Sequence, residues 1–306
     1  MAVYNLAPND VVRMTWTIPS GFELLPSPRV PGVTLVVASR VREAILRAGI
    51  DRPEEAAERA VGWVGGGRAR HPVIEVQGER WVLKAYRRGG LLARLNPLLY
   101  WGVGRFFEEI VMTLTAIRAR VPAPEPVALI LRRAGFWGAH RAWQVVTHIP
   151  GVASLRELLL TAPAGSASGR DELRVRFRAA GAAVRRMHDA RIDHADLNLG
   201  NVLTRAAPER ACEAFIVDWD RARLRSSSGW DPHENLLRLW RSALKLARSR
   251  RGGSSSDSVP LRAFLRGYFG RNRAGLRALR RYARLRGGFL LFHRVLWRLS
   301  PKRRAA

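Results

Sequence analysis

Cysteine is almost absent from this sequence of 306 residues. Cys212 stands alone, so no disulfide can form within the chain. Acidic residues are scarce as well: 25 Asp and Glu face 53 Lys and Arg, a formal net charge of +28. Such a balance speaks to partners and solubility rather than to fold, and it admits nucleic acid, an anionic membrane surface or an anionic substrate. Zinc-finger spacing and RNP-type strings are missing, so the nucleic-acid class rests on charge alone, and no nucleic-acid partner is expected. Nowhere do 18 apolar residues follow one another, so no spanning helix is expected. The opening residues MAVYNLAPNDVVRM have no basic stretch followed by an apolar core, which argues against a signal peptide. The expectation is a chain made and kept in the cytosol.

What is present centres on residues 191–220, RIDHADLNLGNVLTRAAPERACEAFIVDWD. His194-Ala195-Asp196-Leu197 is followed by Asn201, five residues after the Asp. The apolar runs Val202-Leu203-Thr204 and Phe215-Ile216-Val217 flank a polar turn and lead into Asp218. Two such runs read as a hairpin. The order His, Asp, Asn, Asp is that of the protein-kinase pattern H-R-D-L-x-x-x-N followed by D-F-G. Phosphoryl transfer asks mainly for positioning and charge neutralisation, and these residue types supply both. Asp196 would orient the attacking hydroxyl or accept its proton. Asn201 and Asp218 would offer oxygen atoms to Mg²⁺, the ligands that this hard cation prefers. Ala195 stands where many protein kinases have an Arg that receives an activation-loop phosphate. Asp220 replaces the glycine of D-F-G, and no A-P-E follows. These departures argue for a small-molecule or glycolipid kinase over a regulated protein kinase.

Upstream, a glycine-rich loop over Gly65, Gly66 and Gly67 precedes strand-like residues 71–76, a turn at 77–80 and a further strand, Trp81-Val82-Leu83-Lys84-Ala85-Tyr86. Glycines let a backbone approach phosphates and expose its N–H groups. The loop does not match G-x-G-x-x-G, and without Lys84 a plain hairpin would be the better reading. Lys84 occupies the place of the lysine in V-A-I-K, which holds the α- and β-phosphates. Residues 105–118 have the period of an amphipathic helix, with Phe106, Ile110, Leu114 and Ile117 on one face. Glu109 is the favoured partner for Lys84, with Glu108 one register away; a solvated surface Glu is the plain alternative for each.

The rest of the chain is read more coarsely. Residues 1–60 are an N-terminal extension with a strand such as 33–38 and helical stretches broken near Asp51-Arg52-Pro53, where Asp51 is expected to cap. Residues 61–148 form an N-lobe, 149–270 a C-lobe, and 271–306 a basic tail. The tail has twelve Lys or Arg and no acid, interleaved with leucine and aromatic residues. It suits a helix lying on an anionic membrane, and equally a helix packing its apolar face inward.

Five strings carry a family likeness: VLKAYRRGGL at 82–91, THIPG at 147–151, HADLN at 194–198 with NVL at 201–203, IVDWDR at 216–221, and the looser NLLRL at 235–239 with Arg241-Ser242. Together they resemble the 3-deoxy-D-manno-octulosonic acid (Kdo) kinase branch of the lipopolysaccharide kinases, over about residues 60–250. Trp219 stands where that family usually has Phe. The resemblance implies an α+β, protein-kinase-like two-lobe fold with a small β-rich N-lobe and a mainly helical C-lobe. It implies ATP and Mg²⁺ as cofactors, transfer to a sugar hydroxyl of Kdo–lipid A, and a peripheral site on the inner face of the bacterial inner membrane. Asp196 carries over as the catalytic residue. Arg87 and Arg88, after the Lys84 strand, and Arg221 and Arg223, after Asp218, are candidates to hold the acceptor's anionic groups. A core heptose as acceptor, an aminoglycoside- or choline-type phosphotransferase, and a basic nucleic-acid- or membrane-binding pseudokinase stay open as alternatives.

Overall fold

The computed structural model describes residues 18–65, 70–87, 98–135, 138–161, 166–206, 212–225, 231–249 and 259–286. Gly66, Gly67, Arg88 and the tail from 287 onward lie outside the described residues. The chain divides into two compact units, Met1–Gly151 with Ile216–Leu224, and Val152–Phe215 with Arg225–Ala306.

The first unit is built on an antiparallel sheet. Its strands are β1 (Phe22–Pro26), β2 (Val33–Ala38), β3 (Gly62–Val64), β4 (His71–Val76), β5 (Glu79–Ala85), β6 (Tyr100–Trp101), β7 (Pro126–Arg133) and β8 (Ala139–Thr147). They lie in the order β1-β2-β7-β8-β5-β4-β3, with β6 pairing β8. The stretch before residue 61, unreadable in role from sequence, thus supplies two strands of the sheet. VTLVVA is apolar almost throughout because β2 lies between β1 and β7, and its residues are buried on both faces.

Side-chain alternation gives the sheet two apolar faces. On one, Leu35, Val37, Trp81, Leu83 and Val145 share a core with Ile45 of α1 (Arg42–Arg47) and Ala56 of α2 (Pro53–Glu58). On the other, Val36, Leu129 and Leu131 meet Phe106, Phe107 and Ile110 of α3 (Gly104–Arg118). Pro53 opens α2, but Asp51 does not cap it: the flanking Arg52 makes no side-chain cap bond. Asp51 is instead fully buried and accepts a hydrogen bond of 2.6 Å from the Ser27 hydroxyl, so it fastens the β1–β2 connection.

In the second unit, β9 (Val152–Ser154), β11 (Val202–Ala206) and β12 (Cys212–Ile216) form a three-stranded sheet in the order β12-β11-β9. Ser154 and Glu157 make a reciprocal capping box at the start of α4 (Leu155–Thr161), with bonds of 2.8 and 3.1 Å. The long α5 (Ala167–Asp189) leads through β10 (Ile192–Asp193) into the HADLN loop. The short β13 (Arg223–Leu224) precedes α6 (His233–Ser249), α7 (Val259–Phe269) and α8 (Arg273–Leu285).

Helices α5 and α7 touch backbone to backbone through two glycines. A Cβ on Gly181 would lie 2.1 Å from the Phe264 carbonyl oxygen, and one on Gly267 would lie 2.0 Å from that of Arg178. Beside this crossing, His188 Nδ1 and the Tyr268 hydroxyl are 2.7 Å apart. Burial pushes the His188 imidazole down to about 3, so this histidine packs rather than titrates near neutral pH. On α8, Leu276, Leu279 and Tyr282 are half-buried, while Arg273, Arg277, Arg280, Arg281 and Arg284 are exposed. The Tyr282 hydroxyl donates to Glu234 of α6, and Arg286 pairs with the same carboxylate at 3.3 Å. The described part of the basic tail therefore packs its apolar side inward and turns its arginines to solvent.

The close crossing sets the sign of a substitution. In an open helix, Gly→Ala gains roughly 1 kcal/mol from propensity. At Gly181 or Gly267 the added methyl forces the helices apart, and overpacking of this kind costs about 1–3 kcal/mol. Thermal denaturation of Gly267→Ala should show a lower Tm than wild type, whereas Gly62→Ala, with nothing within 4 Å, should change it little. A Gly267→Ala protein as stable as wild type contradicts the crossing.

Candidate functional site

Strand alternation decides where Lys84 goes. Trp81, Leu83 and Ala85 face the α1–α2 core, so Val82, Lys84 and Tyr86 point to the face that carries α3. Directly across from Lys84 on β8 is Gln144, buried, whose Oε1 accepts from Lys84 Nζ at 3.5 Å. Lys84 Nζ also lies 3.8 Å from Glu109 Oε1. Glu109 is 2% exposed, whereas Glu108 faces solvent. The one-residue ambiguity in the helix register is settled in favour of Glu109, because the i, i+3 pair Phe106 and Glu109 share the buried side of α3 with Thr113.

The Tyr86 hydroxyl donates to the other oxygen of the same carboxylate. Burial pushes the Glu109 carboxyl above the usual carboxylate range, even against the pull of Lys84 and the Tyr86 hydroxyl. Burial and the neighbouring Glu109 charge raise the Tyr86 phenol well above its ordinary value. Sequence inspection missed Tyr86 and Gln144. Tyr86 was within reach of it, two residues beyond Lys84 on the same face of a strand. Gln144 is visible only once the β5–β8 register is known.

Gly65 takes φ +89, a conformation suited to glycine. After the loop, His71 opens β4; burial lowers its imidazole to about 4, and the Lys84 and Arg87 charges act in the same direction. The returning segment, Ile216–Leu224, joins the same unit. The Ile216 N–H donates to the Pro122 carbonyl at 2.9 Å. Trp219 is 2% exposed, and its indole N–H bonds the Ile216 carbonyl at 3.1 Å, so the larger ring in place of Phe is fully housed. Between them Asp218 takes φ +69, a left-handed conformation that Asp tolerates better than most residues. Asp220 forms an ion pair with Arg105, one turn before Glu109 on α3. Asp220, the departure from D-F-G, is thus a tie to the helix that carries Glu109. Arg221 and Arg223 are exposed.

The HADLN loop of the second unit is tied down residue by residue. His194 is fully buried and Leu197 fills the core beneath the loop, while Asp196 is exposed at its tip. The Asn201 side-chain amide donates to the Asp196 carbonyl at 2.9 Å. This leaves its oxygen as the end suited to a hard cation. Asn198 closes an Asx-type turn by accepting from the Gly200 N–H at 2.8 Å. The Leu199 N–H donates to Ser242 of α6 at 3.0 Å, and the Leu199 carbonyl accepts from the Arg156 N–H at 3.1 Å. Ala195 takes φ +58, a strained state for a residue with a Cβ that costs on the order of 1–3 kcal/mol and persists only when its surroundings enforce it. The enforcing group is Asp193, which accepts from the Ala195 N–H at 3.0 Å. Arg225, two residues beyond the candidate acceptor residue Arg223, is bound to Asp193 at 2.7 Å.

The model of the lipopolysaccharide kinase (Kdo/WaaP) family matches residues 54–268 of this chain. Among curated proteins, the 3-deoxy-D-manno-octulosonic acid kinase of Xanthomonas axonopodis pv. citri is 32% identical over 232 residues, 74% of this chain and 85% of that protein. Enzymes with the same description from Xanthomonas campestris pv. campestris and Xylella fastidiosa are each 31% identical, covering 72% and 74% of this chain and 83% and 85% of their own lengths. Among solved structures, WaaP in complex with acyl carrier protein aligns with a TM-score of 0.50 at 20% identity, over 91% of this chain and all of that one. That likeness shows the fold, which is protein-kinase-like: an antiparallel-sheet N-lobe and a mainly helical C-lobe. With the matched residues and these relatives together, the chain belongs to the lipopolysaccharide kinase (Kdo/WaaP) family, ATP-using phosphotransferases that act on a sugar hydroxyl.

Proposed function

We propose that this chain transfers the γ-phosphate of ATP to a hydroxyl of the Kdo sugar on Kdo–lipid A. The observation that carries the proposal is the HADLN loop, in which hydrogen bonds at Asn198, Leu199, Gly200 and Asn201 fix the chain around an exposed Asp196, in a chain whose curated relatives are named as Kdo kinases. Asp196 takes the catalytic role: it orients the sugar hydroxyl and accepts its proton as the bond to phosphorus forms. Lys84, held by Glu109, contacts the α- and β-phosphates, with Gly65, Gly66 and Gly67 covering them. Mg²⁺, when bound, offsets phosphate charge, and Asn201 and Asp218 supply oxygen ligands for it. Arg87, Arg88, Arg221 and Arg223 bind carboxylate and phosphate groups of the acceptor, for which the forked guanidinium is suited.

Incubation of the purified protein with γ-labelled ATP, Mg²⁺ and a panel of lipid A precursors tests this reading. Label should enter Kdo-bearing acceptors and not their Kdo-free precursors. Asp196→Asn should lose about 10²–10⁴-fold in kcat while keeping its fold. Label entering only heptose-bearing acceptors moves the substrate to a core heptose, and an Asp196→Asn protein with wild-type kcat removes the catalytic assignment.

The same reading puts the protein on the inner face of the inner membrane as a peripheral enzyme. The exposed arginines of α8 provide the attraction, and no helix among the described residues is long and apolar enough to cross a membrane. Each Lys or Arg near an anionic surface gains about 1 kcal/mol. Replacing Arg277, Arg280, Arg281 and Arg284 with Gln should weaken co-sedimentation with phosphatidylglycerol vesicles, and added salt should weaken that of the wild type. Equal, salt-insensitive binding of both proteins excludes α8 as the contact.

A further inference from the structure

Protein kinases of the regulated kind order their catalytic machinery with an added phosphate, caught by arginines. Here Ala195 occupies the place of the loop arginine, so that device has no cation on this loop. A different pairing occupies the neighbouring position. Asp193 is 6% exposed, and its carboxylate is surrounded by donors. One oxygen accepts from the Ala195 N–H at 3.0 Å and lies 3.8 Å from Arg238 Nη1 of α6. The other accepts from Arg225 Nε at 3.1 Å and Nη2 at 2.7 Å. The fully buried Asn235 of α6 lies against the same group, and its Oδ1 accepts from Arg238 at 3.4 Å. Burial alone would push the Asp193 carboxyl up; the Arg225 guanidinium and the Ala195 N–H overcome this and hold it below the usual carboxylate range. The Arg225 N–H also donates to the Arg191 carbonyl at 3.0 Å, so Arg225 is fixed by backbone as well as side chain.

We infer that Asp193 and Arg225 form a built-in latch that does the ordering work of an activation phosphate, with the charges reversed: the anion sits at the end of β10, just before the catalytic loop, and the cation on the segment that follows Asp218. The inference rests on the reading of residues 194–201 as the catalytic loop. Asp193 and Arg225 are positioning residues. Their bonds hold Ala195 in its left-handed turn, and that turn sets the direction in which the next residue, Asp196, leaves the backbone. Because the cation is part of the chain, the loop is ordered without modification, and the enzyme is constitutively active.

Residue-resolved amide exchange and steady-state kinetics on the full chain test the latch together. In Arg225→Met, the Ala195 amide should exchange at least about 10-fold faster, while amides of α5 such as Val184 keep wild-type protection. The same variant should lose on the order of 10²-fold in kcat, as small misplacements of a catalytic group do, with KM for ATP unchanged within about twofold. Arg225→Lys should restore part of both signals, and Asp193→Asn combined with Arg225→Met should be no worse than the poorer single variant. Unchanged exchange at Ala195, or a rise at α5 in step with it, overturns the latch; so does loss of wild-type activity on phosphatase treatment. An Asp196→Asn enzyme with full turnover overturns the catalytic-loop reading instead, and the exchange data still judge the latch.

Discussion

Glu109 is a carboxylate almost sealed from water, and the first unit is arranged around satisfying it. Lys84 reaches it from β5, the Tyr86 hydroxyl donates from the same strand face, and Arg105, one turn earlier on α3, is tied to Asp220. An unpartnered buried charge is expensive, whereas a paired one is tolerated. The pairing therefore fixes the register of α3 against the sheet, and with it the position of the Lys84 ammonium. The apolar contacts of Phe106, Phe107 and Ile110 with Leu129 and Leu131 supply the burial that makes the pair matter.

The second unit uses the same device beside its HADLN loop. Asp193 is a second buried carboxylate, and the donors that satisfy it impose the left-handed turn at Ala195. Both units thus place an exposed or half-exposed charged side chain, Lys84 or Asp196, near a buried anion that cannot move without losing its partners. The rigidity suits phosphoryl transfer, where most of the catalytic gain comes from positioning and electrostatics. On α8 the arginines line the solvent side while Leu276, Leu279 and Tyr282 are half-buried, so one helix contributes to the fold and keeps its charge in solvent.

Much of this was legible in the sequence because it rests on short-range patterns. The strand of Lys84, the helix of Glu109 and the His194–Asn201 spacing all follow from period and residue type within a few positions. What was not legible depends on pairing between distant segments. The strand at 33–38 was legible, but its place was not: a strand belongs to a sheet only through its neighbours, and β2 finds β7 almost a hundred residues later. Asp51, a sound capping residue in a good position, was drawn away by Ser27. Arg225 resembled its neighbours Arg221 and Arg223 in every local respect, and only the fold shows that it belongs to Asp193.

In the proposed function, the Lys84–Glu109 pair presents a cation to the phosphates of ATP. Lys84→Met is the variant that tests this. The raised Glu109 carboxyl can take up a proton and keep its bond to Tyr86, so the variant should fold. Transfer of labelled γ-phosphate from ATP to the glycolipid acceptor should then fall by about 10²–10³-fold, the loss that follows removal of one charge-stabilising donor. A folded Lys84→Met protein with unchanged kcat and unchanged KM for ATP would contradict the account and reduce the glycine loop and its strands to an ordinary hairpin.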